Sequence, residues 1–424
     1  MPPKRGRFAS LRVRRNRRSV ISGAAVAGAA LAASALAGLP LATEAATERA
    51  CCPARPPPVM AARPASRQET AAGNVQAAAV ARRSRFVMRV AEDALELART
   101  IPDATVRART LELLANPAPT YQLRSPSAAD RETVREELLA EGLIPPATTV
   151  DGIFPPVPDA NEAPQPFWAA PGSGFGAHHS YPGGLAVHEL SFARTATQYR
   201  DLYEAFYGVD AVPGAISIAL IHGPALWHDI HKVSVFQWNA DGSEWAEQTV
   251  ADTGAHHTLS GAEAIVRGMS AAWVIAQLSA HDAPTNVAVR AQTGRQRLVN
   301  YLRAAAIIAR VDAVDFGLLR RADGGGYTLA QDPPRIEGYL IHFADQDYLF
   351  TNDALPACVA ALAVVAADEG INPQREPARF NLFRNLVLSQ MLEVRLYAVL
   401  QQGGVDAVRQ VVREQVDLMQ LREA

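Results

Sequence analysis

The sequence predicts an all-α fold, and three observations carry that prediction. Apolar residues recur at helical spacing through most of the chain, as Phe86, Val87, Val90, Ala94, Leu95 and Leu97 do. Strand-like alternation is scarce; only Tyr327–Leu329, after Gly324-Gly325-Gly326, suits a small hairpin. No repeat period is evident, so a repeat array is not expected.

Length and composition permit such a body. The 424 residues, 49% hydrophobic and 20% charged, suffice for one large domain or two ordinary ones. Net charge is −2, but unevenly spread: residues 1–45 hold 8 Lys/Arg and 1 acidic residue, leaving 33 basic against 42 acidic elsewhere. An acidic body argues against a specific nucleic-acid partner.

The elements follow in order. Residues 1–45 read as a targeting signal: a basic stretch from Lys4 to Arg18 precedes an apolar run over residues 20–42. Arg17-Arg18-Ser19-Val20-Ile21 resembles a bacterial twin-arginine signal. The expectation is export by the twin-arginine machinery, to the periplasm or outside the cell, with no membrane span after cleavage. The alternative is an uncleaved N-terminal anchor, because the run is long enough to span. Residues 46–78, rich in Ala, Pro, Arg and Ser, are expected to form a flexible linker, and residues 79–424 the folded body. Cys51 and Cys52 lie in that linker and Cys358 in an apolar run, which suggests no disulfide framework.

Within the body, helices are expected over residues 79–98, 106–115 and 128–141, the last capped by Ser125 or Ser127. Residues 145–180 are broken by Pro and Gly but carry Phe154, Phe167, Trp168 and Phe175, so they are expected to pack across the domain. Further helices are expected over 185–207, 213–231, 260–280, 287–319, 355–368, 381–402 and 405–422.

Histidine placement points to chemistry. Nine of the ten histidines fall between His178 and His281, and histidine is the commonest metal-ligating side chain. Four segments hold most of them: His178-His179-Ser180-Tyr181-Pro182-Gly183-Gly184-Leu185 running on to His188; His228-Asp229-Ile230-His231-Lys232; His256-His257; and His281-Asp282. On a helix, adjacent His228 and Asp229 would point about 100° apart and could grip different sides of a metal or bridge two. His222 reads as a core residue.

These segments resemble the HD-domain superfamily of metal-dependent phosphohydrolases over residues 177–350. The first is similar to its His-His-x-Tyr-x-Gly-Gly-Leu-x-x-His opening, the second to the His-Asp-Ile-x-Lys segment that names it. The resemblance implies a helical HD-domain bundle, here with added N- and C-terminal helices, holding one or two divalent ions (Fe, Mn, Zn, Ni or Mg). It implies His188, His228, Asp229, His257, His281 and Asp345 as ligands. His256 is the alternative to His257, and Asp315 or Asp312 the alternatives to Asp345.

Lys232 stands out independently, since Lys4 and Lys232 are the only lysines in the chain. A compact ammonium suits a phosphate oxygen in a way that Arg does not. His178, His179 and Asp282 are candidates to pass a proton to a leaving oxygen. The resemblance implies hydrolysis of a small phosphomonoester or phosphodiester. The competing expectations are a di-iron oxygenase of the same superfamily and a non-catalytic binding module braced by metal.

Overall fold

A computed structural model describes residues 67–289 and 291–418. The expected signal over residues 1–45 and the pair Cys51 and Cys52 lie outside the described residues. The protein is mostly α-helical, and among the described residues strands occur only as three short hairpins. One of them is the expected one, Leu319–Arg321 paired antiparallel with Tyr327–Leu329.

Regular structure starts earlier than expected. Helix Arg67–Arg83 occupies residues 67–78, which the composition assigns to the linker. Its Ala-rich sequence has high helix propensity, and its packing is specific. Asn74 Oδ1 accepts the Trp238 N–H at 2.8 Å, and Asn74 Nδ2 donates to the Pro164 carbonyl at 3.2 Å. Ser84 then divides the expected 79–98 helix. Its hydroxyl caps Arg85–Arg99 through Val87 N and donates to the Ser389 carbonyl at 2.7 Å.

Helix Ala104–Ala115 is capped by Asp103, and Ala128–Ala140 opens on a capping box of Ser127 and Asp130, so Ser127 rather than Ser125 is the cap. Residues 145–180 cross the domain largely without regular structure, with Phe154 and Phe167 buried and Trp168 and Phe175 half-buried.

Several later helices are shorter than their apolar period suggests. The expected 213–231 helix contracts to Ala219–Ala225. Gly214, at φ 71°, forms a turn before it, and Pro224 lies near its end. Tight turns follow: Ile230 N–H donates to the Trp227 carbonyl at 3.2 Å, and Lys232 N–H to Asp229 at 2.8 Å. His228 and Asp229 therefore sit in turns, not on a continuous helix. The 260–280 segment splits into Ala255–Val266 and Ala271–Leu278, between which Gly268 takes φ 76° and Ser270 caps the second helix. The 287–319 segment is helical only over Gly294–Ile308, because a Thr293/Gln296 capping box fixes its start and Arg310, at φ 59°, ends it.

Helix Ile336–Ala344 is additional, and Tyr348–Asp368 starts before the expected 355. The last two helical stretches are Pro377–Met391 and Glu393–Gln415, parted at Leu392, and the second is broken at Gly404, at φ 65°, between the expected 381–402 and 405–422 helices.

Two large apolar cores result among the described residues, beside a small cluster of Ala81, Val87 and Ala169. The larger gathers residues from Arg85–Arg99, Gly184–Tyr207, Ala255–Val266, Ala271–Leu278, Gly294–Ile308 and Ile336–Ala344. The Trp227 and Trp273 rings meet edge-on there, centroids 4.9 Å apart. The smaller core belongs to the last three helices, and Tyr181 is part of it. The histidine-rich segment from 178 to 188 thus runs from one core to the other.

Candidate metal centre

Two glycines set the entry to the site. Gly183 caps Gly184–Tyr207 at φ 96°, a conformation that favours glycine. A Cβ on Gly184 would lie 1.8 Å from the His179 carbonyl oxygen, so only hydrogen lets the preceding loop cross the helix start. His188 follows one turn inside the helix and is buried.

Each remaining side chain arrives from a different element. His228 and Asp229 come from the turns after Ala219–Ala225, His256 and His257 from the first turn of Ala255–Val266. His281 lies just beyond Ala271–Leu278, and Asp345 ends Ile336–Ala344.

They form two groups around Asp229. In the first, His188 Nε2 lies 3.1 Å from His228 Nε2, 3.1 Å from Asp229 Oδ2 and 3.4 Å from Asp345 Oδ1. His228 Nε2 lies 3.3 Å from Asp229 Oδ2 and 3.6 Å from Asp345 Oδ1. In the second, Asp229 Oδ1 faces His256 Nε2 at 3.1 Å, His281 Nε2 at 3.5 Å and His257 Nε2 at 3.8 Å. Asp345 Oδ2 is 3.6 Å from His281 Nδ1.

The separations of 3.1–3.4 Å fit shared cations, and those of 3.5–3.8 Å are slightly wider. Two ligand atoms each about 2.1 Å from one ion, at tetrahedral or octahedral angles, stand about 3.0–3.4 Å apart. The donor chemistry agrees. His228 Nδ1 is 3.0 Å from the Ala225 carbonyl, which can only accept, so Nδ1 carries a proton and Nε2 is the nitrogen that would give its lone pair to a cation. Asp229 Oδ1, His256 Nε2 and His281 Nε2 are buried without hydrogen-bond partners. Buried polar atoms left unsatisfied cost free energy, and a cation would satisfy all three at once.

Charge is arranged to match. Burial opposes the Asp229 carboxylate, but His228, Lys232 and His256 outweigh it and hold the group well below its ordinary 3.8. Burial and neighbouring positive groups push His257 and His281 well below 6.5, which keeps them neutral and able to ligate.

Outer partners orient the rings. The Ala225 carbonyl holds His228 Nδ1 at 3.0 Å, with the Glu189 carboxylate beside it, while Glu247 Oε1 lies 2.5 Å from His256 Nδ1 and Thr253 Oγ1 2.6 Å from His257 Nδ1.

All six ligands implied by the resemblance are brought together, and His256 joins His257 instead of replacing it. Asp312 and Asp315 are exposed and belong to neither group; Asp312 accepts the Val314 N–H at 2.7 Å in a turn. Lys232 Nζ lies 2.5 Å from Asp229 Oδ2 and donates to the Gly172 carbonyl. The His178 ring is 5.4 Å from that of His188, and its backbone N–H is held by Asn352 Oδ1 at 2.8 Å. His179 pairs with Glu393 through Nδ1. Asp282, by contrast, is paired with Arg297 at 3.1 Å and accepts the Tyr301 hydroxyl, which gives it a bracing role. His222 bonds Thr197 at 2.9 Å in the core, as expected.

Sequence reasoning missed Glu189, Glu247, Asp347 and Glu393. Two of them had a signal: Glu189 directly follows His188, and Asp347 stands two residues beyond Asp345.

Fold and site together define a mostly helical protein with buried His/Asp clusters able to hold a metal ion. In comparisons with family models, curated proteins and solved structures, nothing matches the chain.

Proposed function

We propose that this chain is a metal-dependent phosphohydrolase of the HD type, using two divalent ions to cleave a small phosphomonoester or phosphodiester. One observation carries the reading. The two oxygens of Asp229 face different histidine groups, Oδ2 at 3.1 Å from His188 Nε2 and Oδ1 at 3.1 Å from His256 Nε2. A carboxylate so placed could give one oxygen to a cation held by each group.

Bound divalent ions there would polarise a phosphoryl oxygen and lower the pKa of a water towards neutrality. The chain's own residues do the rest. Asp229 and Asp345 supply the anionic charge, while Lys232 offsets it beside Asp229 and favours an anionic substrate. His178, next to the His188 ring, is placed to carry a proton at the edge of the cluster. Export through a twin-arginine route, the reading of residues 1–45, suits a small extracytoplasmic phosphoester.

Elemental analysis of wild type beside His228→Ala tests this. About two divalent ions per chain, lost in the variant, together with turnover of p-nitrophenyl phosphate or its diester, is the expected result. A wild type that binds no metal after growth with excess iron, manganese and zinc refutes the reading. Tightly bound iron with oxygen consumption and no phosphoester turnover replaces it with the oxygenase.

A further inference from the structure

His188 belongs to two groups of potential ligands at once. One contains His228 and Asp345, the other His179 and Asp347. A neutral imidazole has a single lone pair, and its second nitrogen carries a proton. His188 Nε2 faces His228, Asp229 and Asp345 at 3.1–3.4 Å, so with a cation held in the first group its lone pair would go there. Nδ1 must then be a donor. It is buried without a hydrogen-bond partner, and the carboxylate it faces is Asp347, whose Oδ1 is 4.0 Å away.

Three of the other four ligand histidines show what is missing. His228, His256 and His257 each rest Nδ1 on an outer oxygen at 3.0 Å or less, the Ala225 carbonyl, Glu247 and Thr253. Only an approach of about 1 Å separates Asp347 from the same role towards His188. Asp347 is itself backed by a chain. Its Oδ2 lies 3.6 Å from His179 Nε2, another buried nitrogen without a hydrogen bond. His179 is fixed on its far side by Glu393, which pairs with Nδ1 and accepts the His179 backbone N–H at 3.0 Å. Glu393 is fully buried at the start of the last helix.

We infer that Asp347, His179 and Glu393 form an outer chain that positions His188 for the metal, and that this group is not a third metal site. The inference rests on the proposed metal centre. Asp347 and His179 are positioning residues: they act through the orientation of the His188 ring and the basicity of its Nε2. The last helix, at the far end of the sequence, thereby reaches the centre through two side chains.

The test uses the full chain and zinc or cobalt(II) alone, titrated against a competing chelator, for wild type, Asp347→Ala and Asp347→Asn. The Asp347 side chain is 42% exposed, so truncation leaves the cores intact, and thermal melts of the metal-free proteins check this. The expected result is two binding steps in the wild type, one weakened by about 10–100-fold in Asp347→Ala while the other stays unchanged. Asp347→Asn, whose amide oxygen still accepts, recovers part of the loss. Both steps unchanged in Asp347→Ala overturns the inference. So does equal weakening of both steps with a lowered melting temperature, which marks a merely structural role. A third equivalent bound by wild type and lost in Asp347→Ala overturns it in favour of a third metal site. A wild type that binds no cation overturns the metal centre itself, and this chain with it.

Discussion

Gly184→Ala tests the idea that the loop over residues 172–181 is seated by backbone contact on the helix carrying His188. A Cβ there would lie 1.8 Å from the His179 carbonyl oxygen, 2.8 Å from its carbon and 2.9 Å from Gly172 N. Non-bonded heavy atoms settle at about 3.5 Å, so the loop must retreat by roughly 1.5 Å. All three neighbours are backbone, which cannot rotate away as a side chain would. The retreat opens the 2.8 Å hydrogen bond from Gly172 N–H to the His179 carbonyl. It also moves the Gly172 carbonyl that receives Lys232, and the ring of His179. Overpacking costs about 1–3 kcal/mol and the lost hydrogen bond about 1 more. Thermal denaturation followed by circular dichroism, with metal content measured on the same samples, reads both effects. The expected result is a fall of several degrees with weakened metal retention. Gly324→Ala, at a position with open space, is the control and should change neither. A Gly184→Ala protein that melts with the wild type and keeps its metal refutes the argument.

Three further outcomes are expected. Glu263 is buried, which alone would raise its carboxyl, but His231, Arg267 and Thr120 outweigh burial and hold it below 4.5. A carboxyl lowered in the folded state stabilises fully above its unfolded pKa and loses that contribution as pH falls through the folded value. Urea midpoints should therefore show the gap between wild type and Glu263→Gln shrinking below about pH 4.5, and a gap constant with pH would contradict this. Arg384 is buried, lies 4.7 Å over the Phe175 ring and donates to the Ser180 carbonyl at 2.6 Å. Arg384→Ala should cost about 1.5–3 kcal/mol in chemical denaturation, and a loss under about 1 kcal/mol would show that the loop does not depend on it. Asp282→Asn should lower stability by about 1–3 kcal/mol while leaving metal content intact, since Asp282 braces Arg297 and Tyr301; loss of metal would return it to the centre.

Helical class was legible because amphipathic spacing survives without tertiary information, but helix ends were not. The 213–231 stretch is largely apolar, so period alone could not reveal that Pro224 and a series of tight turns end the helix before His228. The break at Leu392, at φ 59°, carries no Gly or Pro to announce it. The helix over residues 67–78 was hidden by composition: an Ala-rich stretch reads equally as linker or helix until Asn74 is seen bound to Trp238 and Pro164.

The site divides along a similar line. Residues that must supply a lone pair had a local signature, because a cation restricts the choice to His and Asp at constrained spacings. The oxygens that orient them did not, because the Ala225 carbonyl, Glu247 and Thr253 need only accept one hydrogen bond from whatever distance in sequence the fold allows. Glu393 is the extreme case, 214 residues from the His179 that it holds.

Lysine and arginine show how the same charge is split by shape. Both lysines of the chain are outnumbered by 39 arginines, yet the cation beside Asp229 is Lys232. At position 384 a planar guanidinium is required: it stacks on Phe175 while its two terminal nitrogens reach Asn385 Oδ1 at 2.9 Å and the Ser180 carbonyl at 2.6 Å. At position 232 the charge must fit between Asp229 Oδ2 and the Gly172 carbonyl, below a loop that glycines alone allow to approach the helix. A point charge with rotatable donors meets that need, and a rigid fork does not. The choice of Lys in so arginine-rich a chain follows from the closeness of the loop, and the glycines at 172, 183 and 184 and the lysine at 232 are one arrangement.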